Sequence, residues 1–140
     1  MLGSGNAPAL FHLRLSGSVA LALEEAMMCE PQIILRKWSG RIRTADEAVY
    51  VAYIAKTGLK EYSETPGNLG YQMMMRTLGD GVSEVSTLSW WRDMEAVRSF
   101  AGDNPERAVY YPEDDRFLLD RPEFVEHHRV FASNIGLGEA

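Results

Sequence analysis

The stretch that decides the fold is residues 87–118, TLSWWRDMEAVRSFAGDNPERAVYYPEDDRFL. It begins as the end of a strand and turns at Trp90–Trp91 into a helix that Gly102 ends. A second helical piece is predicted to open at Asn104–Pro105, because asparagine caps helices and proline fits the first helical position.

The second half of this stretch carries groups suited to a pocket. The tyrosine pair Tyr110–Tyr111 precedes an acidic corner, Glu113–Asp115, and two of the three tryptophans of the chain lie in the first half. Tyrosine and tryptophan offer a large apolar surface together with one polar hydrogen. We therefore expect this stretch to supply much of any binding site.

Upstream, Gln32–Arg43 (QIILRKWSGRIR) is typical of a first strand. Its alternation places Ile34, Arg36 and Trp38 on one face. Gly40 indicates either a bulge or a close approach of another group to the backbone.

A helix is predicted to follow this strand. Thr44-x-x-Glu47 has the spacing of a capping box, in which each side chain satisfies a free backbone N–H group. The helix should run to about Thr57, with Gly58 in the left-handed position that ends it.

The middle of this helix lacks charged residues, so it should contact more than its own sheet. Tyr50 and Tyr53 lie off its small-residue stripe and are predicted to border a cavity. The stripe permits close approach of a neighbour and consists of Ala48, Val51, Ala52 and Ala55.

The next elements are predicted to form a hairpin: strands at Gly70–Leu78 and Val82–Trp91, joined by Gly79–Gly81. Met73–Met75 are three consecutive apolar residues, which indicates a strand buried on both faces. Helices can cover one face of a small antiparallel sheet, and a second copy of the protein is the simplest cover for the other.

Asp93 is a candidate N-cap for the second main helix, and Glu123–Ala132 is predicted to be the last strand. The order β–α–β–β–α–β predicts an α+β fold, the ferredoxin-like split βαβ arrangement, with a four-stranded antiparallel sheet and helices on one face. The domain is expected to span residues 31–132, followed by a tail at 133–140.

Residues 1–30 are expected to be a poorly ordered or dispensable N-terminal extension. A short helix at Val19–Cys29 that packs on the domain or on a partner subunit is the alternative. Glu24 and Glu25 interrupt the apolar segment there, which makes it a poor signal peptide.

The composition excludes several classes of function. The 140 residues carry a net charge of −6 and no block of lysine or arginine, which argues against nucleic-acid binding and against anionic membranes. No apolar run reaches the roughly 18 residues of a membrane span. Cys29 is the only cysteine, so no disulfide forms within the chain, which fits a cytoplasmic location.

The residues of the deciding stretch resemble those of the antibiotic biosynthesis monooxygenase-like proteins, small members of the dimeric α/β-barrel superfamily. The turn Thr65–Asn68 also matches, and the resemblance covers about Ile33–Phe131. The pattern consists of Ser89 and Trp91, then Met94–Val97, Phe100–Gly102, Pro105–Tyr111 and Asp114.

The resemblance implies a homodimer in which two sheets face each other to form a barrel, and a cavity within each subunit between sheet and helices. Heme-degrading relatives use a strand asparagine and a helix histidine, and neither has a counterpart in Gln32–Arg43 or Asp93–Ala101. We therefore expect no cofactor and no metal, and a flavin- or heme-assisted enzyme is a minor alternative.

A cofactor-free oxygenase needs a base, hydrogen-bond donors for an oxyanion, and an apolar cup that excludes water. The predicted catalytic residues are Trp91, Tyr110, Tyr111, His127 and His128, and the predicted substrate-binding residues are Tyr50, Tyr53, Arg36 and Trp38. Each has a structural alternative: a core aromatic, a satisfied tyrosine, a polar strand residue or a surface charge. Adjacent strand residues face opposite sides, so only one histidine should face the cavity.

Arg36, Arg41 and Arg43 have two interpretations. They would hold an anionic substrate, or pair with the acidic corner Glu113–Asp115.

The leading hypothesis is a cofactor-independent monooxygenase acting on a small aromatic or polyketide-like molecule. The alternative is a non-enzymatic barrel that binds a small ligand or is associated with stress. An enzyme should place Trp91, a tyrosine and a histidine around one cavity. A binding or structural module should fill that space with methionine and phenylalanine side chains.

Overall fold

The computed structural model describes residues 32–137, and the predicted N-terminal extension lies outside them. It has four strands, β1 (Ile34–Arg43), β2 (Asn68–Gly79), β3 (Val82–Trp91) and β4 (Glu126–Arg129). Three helices accompany them, α1 (Glu47–Lys56), α2 (Gly58–Glu64) and α3 (Met94–Ala101). Short 3-10 turns lie at Thr44–Asp46 and Asp114–Arg116.

The strands form one antiparallel sheet in the order β2-β3-β1-β4. This order is that of a ferredoxin-like split βαβ fold, so the predicted fold class is confirmed. The β2–β3 turn is tight because Gly79, Asp80 and Gly81 all have positive φ, a conformation that glycine adopts without steric cost. Within residues 32–137, no helix is long and apolar enough to cross a membrane.

The core lies between the helices and one face of the sheet. Ile42, Val85 and Trp91 project from that face and are fully buried, and Val97 of α3 and Ile54 of α1 pack in the same cluster. Asp93 caps α3 as predicted, since its Oδ1 accepts a hydrogen bond of 2.9 Å from the backbone N–H of Ala96. This cap fixes where the chain leaves β3 and starts the helix.

The predicted capping box at Thr44 and Glu47 is wrong. The Thr44 hydroxyl lies 2.8 Å from Oγ of Ser83. The Ser83 hydroxyl donates a hydrogen bond of 2.5 Å to Oε2 of Glu47. Ser83 is fully buried on β3 opposite Ile42, so its hydroxyl needs partners inside the protein. The two side chains serve that need, and a 3-10 turn starts the helical segment instead of a side-chain cap.

Gly58 does not end a helix in a left-handed conformation, as predicted, but begins α2. The break falls one residue earlier, at Thr57, where φ is −115° and ψ is −93°. The Thr57 hydroxyl donates to the carbonyl of Tyr53 at 3.1 Å. The chain therefore turns at a threonine and continues as a helix.

The helical piece predicted at Asn104–Pro105 is also wrong. The N–H of Arg107 bonds to the carbonyl of Asn104, which makes a single turn, and the chain then runs extended. The N–H groups of Ala108 and Val125 bond to the carbonyls of Glu123 and Glu106. This pairing takes residues 123–125 out of the last strand, so β4 is shorter than predicted.

Candidate functional site

A cavity lies between the core face of the sheet, α1, α2 and the segment that follows α3. Its volume, counted as the space open to the centres of water-sized spheres, is about 40 Å³. One buried water needs roughly 10–15 Å³ on this measure. The cavity therefore holds a few waters or one small ring.

The cavity brings together five of the predicted site residues: Arg36, Trp38, Tyr50, Tyr110 and Tyr111. The rest of its wall is mostly apolar or aromatic. It consists of Ile54, Gly58, Tyr62, Thr87, Phe100, Val109, Asp114 and Val125.

Arg36 is a buried cation in this wall, with 2% of its surface exposed. Its guanidinium donates to the carbonyls of Pro105 at 2.5 Å and Arg107 at 3.0 Å, and it lies over the ring of Phe100. Burial lowers the pKa of Arg36, although guanidinium stays charged in proteins. Within the described residues Arg36 makes no ion pair. The other two arginines considered for an anionic substrate are paired, Arg41 with Asp120 and Arg43 with Asp46.

His127 lies on the same face of the sheet as Arg36, directly opposite it in the β1–β4 ladder. Nη1 of Arg36 lies 2.9 Å from Nε2 of His127. Since guanidinium can only donate, Nε2 must accept, and the ring is neutral with its hydrogen on Nδ1. Burial first, and then the Arg36 charge, lower the pKa of His127 to about 4.

Tyr110 and Trp38 form one edge of the cavity. The indole N–H of Trp38 donates to the Tyr110 hydroxyl at 3.1 Å, and the two rings meet edge to face with their centroids 6.3 Å apart. The Tyr110 hydroxyl in turn donates to the carbonyl of Pro122. Arg121 stacks on the Tyr110 ring from outside, 4.4 Å from its centroid. Burial raises the pKa of Tyr110, so the phenol stays protonated.

Tyr111 and Tyr50 supply two more phenols. The Tyr111 hydroxyl donates to Oε1 of Glu61 on α2, and burial followed by this carboxylate raises the Tyr111 pKa. Tyr50 is 1% exposed, its pKa is raised by burial, and its hydroxyl makes no hydrogen bond within residues 32–137. Tyr50 is therefore a donor available to a ligand.

Asp114 is the acidic member of the wall and is 2% exposed. Its Oδ2 accepts from the backbone N–H of Tyr111 at 2.6 Å. Its Oδ1 is the one buried side-chain oxygen or nitrogen without a hydrogen bond in the part of the chain that the structure describes. Burial raises the pKa of this carboxyl, against the effects of the Tyr111 N–H and Arg121.

The other predicted site residues do not line the cavity. Trp91 is fully buried, and its indole N–H donates to Oγ of Ser89 at 2.8 Å. His128 faces the opposite side of the sheet, where Nε2 lies 2.9 Å from Oε1 of Glu126. Tyr53 packs on Tyr50 and Phe117, and its hydroxyl accepts the N–H of Glu113.

Asp114 was missed as a site residue because the sequence shows three acidic residues in a row, which are usually solvated. One signal was available. Asp114 lies three residues before Phe117, and residues three apart share a face of a helical turn. Both are buried in the structure, whereas Asp115 is exposed.

No protein-family model and no curated protein matches the chain. Among solved structures, the chain is similar to a Bacillus cereus protein described as a candidate antibiotic biosynthesis monooxygenase. The two share 16% identity with a TM-score of 0.50, over 78% of this chain and 100% of that one. SnoaB, a cofactor-independent oxygenase from Streptomyces nogalater, aligns at 13% identity and a TM-score of 0.41, over 76% of this chain and 97% of its own. The resemblance to antibiotic biosynthesis monooxygenase-like proteins is thus confirmed at the level of the fold.

Proposed function

We propose that the chain is a cofactor-independent monooxygenase acting on a small aromatic or polyketide-like molecule. The observation that carries the proposal is the cavity itself, in which an aromatic wall surrounds a buried cation, Arg36, that has no anionic partner among residues 32–137. A buried charge is costly unless it is paired. An anion formed from the substrate would pair with the guanidinium of Arg36.

The chemistry follows from these groups. A substrate with an acidic C–H₂ group loses a proton to a base, and its electron-rich anion reduces O₂ and forms a C–O bond. Loss of water from the resulting hydroperoxide gives R₂CH₂ + O₂ → R₂C=O + H₂O. The phenol hydroxyl of Tyr50 and the guanidinium of Arg36 are the donors suited to the developing oxyanion. Trp91, His127 and His128 keep their predicted catalytic roles only as proposals.

The test is oxygen uptake by the purified, metal-free protein with phenols and anthrone-like compounds of one to three rings. Wild type is compared with Trp91→Phe and with the exposed control Phe124→Leu. Uptake that needs no added cofactor, is reduced in Trp91→Phe and is kept in Phe124→Leu supports the oxygenase and the role of Trp91. Equal uptake in all three proteins removes Trp91 from the mechanism.

The second candidate is a non-enzymatic barrel that binds a small ligand. Two predicted catalytic groups already have hydrogen-bond partners within the protein, which favours this function. The indole N–H of Trp91 donates to Ser89, and Nε2 of His127 accepts from Arg36. Binding of phenol, measured by the quenching of tryptophan fluorescence, without any uptake of oxygen would support this function. Among the described residues no methionine lines the cavity, although Phe100 does, and the open space that remains argues for a ligand site in either case. Trp91 and the two histidines, which an enzyme was expected to place around the cavity, do not line it.

We also propose that the protein is a homodimer in the cytoplasm, with the outer faces of two sheets in contact. Leu35, Leu88 and Trp90 project from that face, away from the core cluster that residues 32–137 form with their helices on the other face. Leu88 and Leu35 are half-buried, and Met74 beside them is exposed. A second sheet would remove the accessible parts of Leu35, Leu88 and Met74 from water, whereas Trp90 is already buried in the single chain.

A further inference from the structure

The cavity contains one group able to accept a proton near neutral pH. Its titratable wall residues are Arg36, Asp114 and four tyrosines. An arginine is a permanent cation, and a tyrosine with an ordinary pKa near 10 is protonated. Asp114 is therefore the single candidate base among the described residues of the wall.

Neither histidine lines the cavity. The lone pair on Nε2 of His127 already accepts from Arg36, and the ring lies outside the cavity wall. His128 faces the other side of the sheet and contacts Glu126. The carboxylate of Glu61, which accepts a hydrogen bond from the Tyr111 hydroxyl, belongs to an exposed residue outside the cavity wall.

Hydrogen bonds fix the backbone of Asp114 and one of its carboxylate oxygens, while the other oxygen has no hydrogen bond within the described residues. Its own backbone N–H bonds to the carbonyl of Tyr111, and its carbonyl accepts the N–H groups of Phe117 and Leu118. Its Oδ2 is occupied by Tyr111, while Oδ1 has no partner. An unpaired buried oxygen costs about 1–3 kcal/mol. Asp114 belongs to the cavity wall, and a catalytic role is one reason for such an unpaired buried group.

We propose that the carboxylate of Asp114, a member of the cavity wall, is the base that takes the proton from the substrate in this cavity, while Arg36 holds the anion that forms. The inference rests on the proposed function and names the substrate class more closely. The substrate is an enolisable ketone or a phenol, because it must present an acidic C–H or O–H to Asp114 and leave its negative charge on oxygen.

The step balances within these groups. The C–H bond breaks, its proton forms an O–H bond on Asp114, and its electron pair moves into the enolate oxygen, beside Arg36. The anion then forms a C–O bond with O₂, and the proton on Asp114 moves to the peroxide anion, which gives the hydroperoxide and restores the carboxylate. Asp114 next takes the remaining proton of the same carbon; the electrons of that C–H bond form the C=O bond as the O–O bond breaks, and the proton leaves with the hydroxide as water. Burial raises the pKa of Asp114, which makes it a stronger base than an exposed aspartate.

Proton removal can be measured without oxygen. Cyclohexanone and cyclopentanone, two enolisable ketones of one ring, which is the size that the cavity holds, are incubated anaerobically with the protein in D₂O, and deuterium uptake is followed by mass spectrometry. Wild type is compared with Asp114→Asn, Asp114→Glu and the exposed neighbour Asp115→Asn. Thermal unfolding of each variant is recorded in parallel, and oxygen uptake is measured separately in air.

We expect wild type and Asp115→Asn to exchange at the same rate, Asp114→Asn to be slower by at least about a hundredfold, and Asp114→Glu to recover part of the rate. Asp114→Asn should melt no lower than wild type, because the amide keeps an oxygen for the Tyr111 N–H and removes a buried charge. If Asp114→Asn fails to fold, the exchange rate of Asp114→Glu relative to wild type decides whether Asp114 is the base, because an unchanged rate would contradict its role.

The proposal is overturned if a folded Asp114→Asn exchanges as fast as wild type, or if wild type exchanges neither ketone. Oxygen uptake decides the other question. Exchange that depends on Asp114 without uptake in air leaves the base in place and removes the oxygenase. Uptake that does not depend on Asp114 leaves the oxygenase in place and removes the base.

Discussion

The indole ring of Trp38 lies against the backbone of Gly40, two residues further along β1. A Cβ atom at Gly40 would come within 2.7 Å of Cζ2 and 2.8 Å of Cη2 of that ring. The register between β1 and β3 continues through Gly40 without a break, so the glycine marks a close approach and not a bulge. The ring fits only because this position lacks a side chain.

Gly40→Ala should therefore push the Trp38 ring away from β1 and break its 3.1 Å hydrogen bond to Tyr110. Overpacking of this kind costs typically 1–3 kcal/mol, which urea unfolding would measure. Gly136→Ala is the control, since nothing lies within 4 Å of a Cβ there. Equal losses in both variants would contradict the role of Gly40.

The low pKa of His127 predicts how stability depends on pH. The folded value is about 4 against an ordinary 6.5. Between these values the unfolded chain binds a proton that the folded chain does not, so the free energy of unfolding should fall as pH drops from 6.5 towards 4. Above pH 6.5 this contribution is fully present.

Urea unfolding at pH 7 and pH 5 would measure the effect. The decline should be smaller in His127→Gln, which removes the titrating group and keeps an acceptor for Arg36. His128→Gln, on the opposite face, should behave like wild type. A decline of the same size in both variants would show that His127 is not its source.

Arg36→Met should raise the pKa of His127, because the positive charge beside Nε2 is lost. It should also destabilise the fold by about 1–3 kcal/mol for each carbonyl left unpaired, at Pro105 and Arg107. Proton NMR titration of the histidine ring measures the first effect. Arg41→Met is the control, since Arg41 pairs at the surface with Asp120. A His127 pKa that stays the same or falls in Arg36→Met would contradict the assignment.

Leu88→Glu should convert the proposed homodimer into a monomer. Leu88 projects from the centre of the outer face, between Lys37 of β1 and Gln72 of β2. Each subunit would then bury an unpaired carboxylate in the proposed interface, at a cost that sheet contacts do not offset. Sedimentation equilibrium measures the mass, and Glu95→Lys on the exposed side of α3 is the control. A wild type that is a monomer at micromolar concentration would contradict the dimer.

The strands were predictable where local signals agreed. Val82–Trp91 has the predicted bounds, because the glycines of the preceding turn and the capping aspartate Asp93 mark its two ends. The capping box failed because a buried hydroxyl on β3, that of Ser83, recruited both of its side chains. Its position beside Thr44 depends on strand pairing, which local sequence patterns do not contain.

The site was predictable by residue type more than by role. Alternation along β1 placed Arg36 and Trp38 on the cavity face, and the tyrosine pair reaches the cavity as predicted. The unpaired oxygen of Asp114 and the occupied N–H of Trp91 depend on which atoms meet after packing. Charge and aromatic patterns identify candidates, whereas the partner of each atom follows only from the fold.

Arg36 attaches the segment after α3 to the sheet by hydrogen bonds to the backbone carbonyls of Pro105 and Arg107. Every residue has such a carbonyl, whatever its side chain. Side chains along that segment are therefore free to vary without loosening its attachment to the sheet. Proteins built on this plan would be able to acquire new ligands through substitutions in one wall of the cavity, while a single arginine keeps that wall in place. The same anchor separates the evolution of specificity from the maintenance of the fold.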